Sequence, residues 1–90
     1  MKKSKTKILL VDDEPDILEI VGYNLAQEGY QIIKAENGKD AVEKAKKEVP
    51  HLIIMDVMMP EMDGMEACEN IRKIPELKNV IITFLTARSE

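Results

Sequence analysis

Ile8-Leu9-Leu10-Val11-Asp12-Asp13-Glu14-Pro15 is the stretch on which the fold turns. Four consecutive apolar residues with no polar alternation describe a strand covered on both faces, as in the interior of a parallel sheet. Three acids end it, and Pro15 suits the first turn of a helix. Apolar residues then return at helical spacing as Ile17, Leu18, Val21 and Leu25, to about Gln27, with Gly29 just past the end. Strand, acidic turn, helix is one unit, and the alternation recurs downstream. Gln31–Ala35 is a predicted strand. Asn37-Gly38 is a turn and cap ahead of a helix over about Lys39–Lys47, where Asp40–Lys44 and Glu43–Lys47 pair in the favourable i,i+4 order. Leu52–Met55 is a third strand. A third helix runs from Gly64 to about Lys73, with Met65, Cys68, Ile71 and Ile74 on one face and Pro75 as its stop. Val80–Leu85 is a fourth strand.

The order β-α-β-α-β-α-β implies an α/β fold with an open parallel sheet and right-handed crossovers. Ile8–Val11 and Leu52–Met55 are continuously apolar and therefore central, whereas Gln31 and Lys34 mark the second strand as an edge. The predicted strand order is 2-1-3-4. The chain leaves the first strand to one side and returns to the other by the third, which creates a topological switch point at the carboxyl ends of these strands, where open α/β sheets place ligands.

Composition limits what such a fold can do. Ninety residues make one domain, read as residues 1–90. Aromatic residues are 3%, which leaves no platform for stacking bases. Lys2, Lys3, Lys5 and Lys7 lie in the first seven residues, and the rest of the chain sets nine basic against seventeen acidic side chains. That body repels phosphate backbones, so direct nucleic-acid binding is not expected. No apolar run is long enough to span a membrane or to follow the basic leader as a signal peptide. A single cysteine, Cys68, forms no intramolecular disulfide and suits a reducing, cytoplasmic setting.

At the switch point the two central strands end in Asp12-Asp13 and Asp56. Three convergent carboxylates repel one another by about 4 kcal/mol per close pair at an effective dielectric near 20. Protonation relieves this, and so does a divalent cation. A few all-oxygen ligands favour Mg²⁺ (or Mn²⁺) with retained waters over a Ca²⁺ cage. Strand-end acids that merely cap or meet solvent are the plainer reading for any one of them. Other residues receive structural readings: His51 as a surface residue, Cys68 as a small core hydrophobe, and Met55, Met58, Met59, Met62 and Met65 as core and loop packing rather than copper ligands.

Ile8 to Pro15, together with Asp56-Val57-Met58-Met59-Pro60-Glu61-Met62-Asp63-Gly64 and Phe84-Leu85-Thr86-Ala87-Arg88, resembles the receiver domain of response regulators in two-component signalling, a CheY-like module. The resemblance covers essentially the whole chain. It implies that Asp56 accepts a phosphoryl group from a histidine kinase, that Asp13, Asp56 and the backbone carbonyl of Met58 bind Mg²⁺, and that Asp12 ligates the ion or holds a metal-bound water. It implies that Thr86 donates its hydroxyl to the phosphoryl group. Such a module is a phosphoacceptor rather than an enzyme in the usual sense, although it can promote its own phosphorylation and dephosphorylation. Pro60 and Gly64 are read as turn chemistry alone.

A receiver of this kind also has a fourth helix, a fifth strand ending in a Lys, and a fifth helix, and no residue here matches them. The expectation is a receiver shortened after its fourth strand, with phosphorylation weakened by the missing Lys. The apolar fourth strand then becomes an edge, and a homodimer joined through it is expected. The competing reading is an interaction or structural fragment that is not phosphorylated. A Mg²⁺-dependent phosphohydrolase would need an Asp where Met58 stands, and a flavodoxin-like binder would need a Ser/Thr-rich loop where Asp12-Asp13-Glu14 stands.

Overall fold

The structure is a computed structural model that describes residues 6–85. Its elements are β1 (Lys7–Val11), α1 (Pro15–Gln27), β2 (Gln31–Ala35), α2 (Gly38–Glu48), β3 (Leu52–Asp56), α3 (Gly64–Arg72), a 3₁₀ turn at Pro75–Leu77, and β4 (Ile81–Leu85). The four strands form one parallel sheet in the order β2-β1-β3-β4, as the apolar runs predict.

Register explains the core. Leu9 pairs with Ile33 and Ile53, and Val11 with Ala35 and Met55; Ile53 and Met55 pair in turn with Ile82 and Phe84. Strand alternation puts all of these on one face. There Ala41 and Ala45 of α2 and Ala67 and Ile71 of α3 close over them, with Leu77 of the 3₁₀ turn. The small alanines let both helices sit close to the sheet. Each fully buried Leu, Ile or Met contributes about 1.5–3 kcal/mol. The other face carries Ile8 and Leu10, and α1 brings Leu18 to it.

α1 reaches β1 and β2, and among the described residues no helix packs on the remaining half of that face. Leu52 and Ile54 are therefore half-buried instead of enclosed, which corrects the expectation that β3 is covered on both sides. Ile81 is 64% exposed for the same reason. β4 is an edge among the described residues, and it is tied down from behind by Arg72. That guanidinium donates to the carbonyls of Leu77, Lys78 and Val80.

Several boundaries differ from the sequence reading by a residue. β3 runs on through Asp56, and β4 starts at Ile81. α3 ends at Arg72, and Pro75 opens the 3₁₀ turn rather than stopping the helix. The buried stripe of α3 is Ala67 and Ile71, with Cys68 and, just past the helix end, Ile74 half-buried, while Met65 is 55% exposed. Met65 lies a third of a turn off that stripe, on the side facing solvent.

Candidate functional site

Parallel pairing of Val11 with Met55 brings the residues that follow them side by side at the carboxyl end of the sheet. They are Asp12 and Asp56, at 2% and 3% exposure, with exposed Asp13 beside them. One carboxylate oxygen from each of the three lies within 4.8 Å of the others, a grouping that could hold a metal ion. The three acids singled out from the sequence thus converge at one place.

Local hydrogen bonds aim them. The Asp12 N–H continues the ladder by donating to Ala35 O at 3.2 Å, and its Oδ1 accepts the Glu14 N–H at 2.9 Å. This Asx-type turn leads the chain from β1 into α1. On the other side, Asp56 Oδ1 accepts the Met58 N–H at 3.2 Å. Met58 itself is 74% exposed, so its backbone serves the site while its side chain stands in solvent. Of the five methionines read as packing, Met55 and Met59 are buried and Met62 half-buried; Met58 and Met65 are not. Thr86 lies outside the described residues.

The loop from Asp56 to α3 is held more tightly than turn chemistry requires. The Gly64 N–H donates to Val57 O at 2.9 Å, and a Cβ on Gly64 would lie 2.5 Å from Asp56 O and 2.9 Å from Val57 Cα. Gly64 is thus a close-approach position against the backbone of Asp56 itself, beyond the turn role expected of it. Asp63 caps α3 by accepting the Glu66 N–H at 2.9 Å. The sequence carried the signal for this cap, an acid three residues ahead of a Glu at a helix start. Glu61 has φ 64°, and across it the Met62 N–H donates to Pro60 O at 2.8 Å. A three-residue turn with a positive central φ is rare and strained, and a Glu gives no hint of it in sequence.

His51 is exposed, as expected, yet it has a structural task at the opposite end of the sheet. Its Nδ1 accepts the Lys7 N–H at 2.9 Å, and its own N–H donates to Lys7 O at 2.9 Å. Cys68 is half-buried.

The two buried carboxylates and one exposed one suit a hard divalent cation that keeps part of its water shell. Residues 8–90 match the family model of the response regulator receiver domain. The chain belongs to the response regulator receiver family. It is 43% identical over 84 residues to the alkaline phosphatase synthesis transcriptional regulatory protein PhoP of Bacillus subtilis strain 168, covering 93% of this chain and 34% of that protein. The receiver thus spans about a third of the length of that relative. Among solved structures, it is similar to the chemotaxis protein CheY4 of Vibrio cholerae, with a TM-score of 0.89 and 35% identity over 94% of this chain and 71% of that one. It is also similar to the receiver domain of the sensor histidine kinase PA1611 of Pseudomonas aeruginosa PAO1, which was solved with magnesium coordinated in its active-site cleft. That match has a TM-score of 0.87 and 32% identity over 92% of this chain and 68% of that one. Among the described residues no helix is long and apolar enough to cross a membrane.

Proposed function

We propose that this receiver takes a phosphoryl group onto Asp56 from the phosphohistidine of a histidine kinase, in a Mg²⁺-dependent step of two-component signalling in the cytoplasm. The observation that carries the reading is the grouping of Asp12, Asp13 and Asp56 within 4.8 Å at the switch point of the sheet. An Asp56 Oδ attacks phosphorus, the phosphorus–nitrogen bond breaks, and the imidazole leaves with its electron pair. The product is an acyl phosphate, which water later hydrolyses. Asp12, Asp13, Asp56 and the Met58 carbonyl would hold Mg²⁺, which when bound would offset the negative charge of the carboxylate nucleophile and the incoming phosphoryl group. The protein's remaining share is positioning. The Met58 N–H fixes the Asp56 carboxylate, and Gly64 fixes its backbone. Thr86, just past β4, is the proposed donor to the phosphoryl oxygen.

Acetyl phosphate with Mg²⁺, read by intact mass, tests this. Wild type gains one phosphoryl group and Asp56→Asn gains none. Asp13→Ala binds Mn²⁺ at least about tenfold more weakly, a loss of roughly 1.4 kcal/mol. Labelling that persists in Asp56→Asn, or a phosphate on His51, overturns the assignment. A chain that binds Mn²⁺ but is never labelled is an interaction module instead. We further propose that the chain pairs through β4 as a two-fold dimer, because β4 is the edge strand among the described residues and exposes Ile81 and Thr83. Sedimentation across a concentration series checks it, and a monomer at high micromolar concentration refutes it.

A further inference from the structure

α2 contributes no carboxylate to the acidic site, yet its first residue touches the loop that does. Gly38 is buried at the start of α2. A Cβ there would collide with the Met62 carbonyl oxygen and lie 2.9 Å from both Met62 Cβ and Cγ. Met62 is the last residue of the strained turn at Pro60-Glu61-Met62, where Glu61 has φ 64°. Its side chain is further held by α3, where Asn70 Nδ2 donates to Met62 Sδ at 3.8 Å. A backbone held in a sparsely populated conformation persists only where its surroundings over-determine it. Gly38 supplies one wall of that enclosure, while Gly64 closes the loop's start against Asp56 and Val57.

We infer that Gly38 is a positioning residue for the acidic site. By admitting the Met62 backbone against the first turn of α2, it holds the 57–63 loop, and with it the Met58 backbone that meets Asp56 Oδ1 on one side and supplies the proposed metal-ligand carbonyl on the other. The inference rests on the metal reading proposed above. A side chain at position 38 has the Met62 carbonyl oxygen and the root of its side chain, not a flexible tip, in its way, so a local rotamer change does not relieve it. Asn37 caps the helix by accepting the Asp40 N–H at 2.7 Å, which keeps the first turn of α2 from unwinding to make room.

The test is Mn²⁺ affinity, by calorimetry, in wild type, Gly38→Ala, Met62→Ala and Ala45→Gly. Ala45 is buried on the same helix two turns further on, and its loss lowers stability without touching the loop. Gly38→Ala binds Mn²⁺ about tenfold more weakly, the lower end of what losing a support around a metal site costs. Met62→Ala keeps Gly38, removes the Cγ at the contact and the Sδ that accepts from Asn70, and weakens Mn²⁺ binding in the same direction; it decides the matter if Gly38→Ala does not fold. Ala45→Gly unfolds at a lower temperature with unchanged affinity. Wild-type affinity in both Gly38→Ala and Met62→Ala overturns the inference alone, as does an equal loss in Ala45→Gly. Failure of wild type to bind Mn²⁺ overturns the metal reading and this inference together.

Discussion

Replacing Asp56 by Asn makes the metal-free protein more stable while removing its response to Mg²⁺. The two buried acids, Asp12 and Asp56, have carboxylate oxygens within 4.8 Å, where two unit charges repel by about 3.5 kcal/mol at an effective dielectric near 20. That figure is a ceiling, because both side chains also have polar partners. Exposed Asp13 adds less, since solvent and salt screen it. Asn keeps the shape of Asp and the oxygen that accepts the Met58 N–H, so the change isolates charge from packing. A gain of about 1–2 kcal/mol follows, which for a domain of this size raises Tm by roughly 4–16 °C. Wild type recovers the difference when the cation binds. At a Mg²⁺ concentration one hundred times Kd, linkage stabilises it by about 2.7 kcal/mol. Thermal unfolding followed by circular dichroism, first in EDTA and then along a Mg²⁺ titration, therefore shows the two curves crossing. Asp56→Asn unfolds at the higher temperature without metal, and wild type overtakes it as Mg²⁺ rises. An Asp56→Asn protein less stable than wild type in EDTA, or one with an undiminished Mg²⁺ response, refutes the reasoning.

Gly64→Ala places a methyl group 2.5 Å from Asp56 O, so it lowers stability and suppresses acetyl-phosphate labelling together; normal labelling would show that the loop accommodates it freely. Val49 closes α2 at φ 45° with 43% of its surface exposed, a conformation in which a β-branched residue is strained. Val49→Gly is expected to stabilise the fold by about 0.5–1 kcal/mol in urea unfolding, and a loss of stability would contradict this. Arg72→Ala removes the donor to three carbonyls leading into β4. Amide exchange there should quicken well before that of β1, and uniform exchange across the sheet would argue that β4 is anchored elsewhere.

The topology was open to reading from Ile8–Val11 and Leu52–Met55 because an unbroken apolar strand is flanked by neighbours in the sheet, even though one face of β3 turned out only half covered. Once those two are central, the sides to which the chain departs and returns place Asp12, Asp13 and Asp56 together. Sequence periodicity said less about α3. Met65, Cys68, Ile71 and Ile74 form a tidy helical row, yet the sheet is met by Ala67 and Ile71, because close packing there rewards a small residue that a hydrophobicity pattern undervalues. The tight loop was legible only in part. Gly64 was visible as a glycine, but whether it serves a turn or a contact with Asp56 depends on a backbone brought in from β3. The contact between Gly38 and Met62 joins segments from different units, and no local pattern could show it. Glu61 lies in a left-handed conformation imposed by those neighbours and not by its own preference.

The neighbouring placement of β1 and β3, with all of α1, β2 and α2 strung between them, also governs when the site can exist. Lys7 and His51, which fasten these strands at their starts, are 44 residues apart in sequence. During synthesis the first half of the chain emerges with Asp12 and Asp13 but without their partner, and it can build β1, α1 and β2 by local contacts. The acidic grouping comes into being in one event, when β3 slides in beside β1. A cation held there as proposed would bind only once the middle of the sheet has closed, so it would stabilise that long-range step and not the early, local ones.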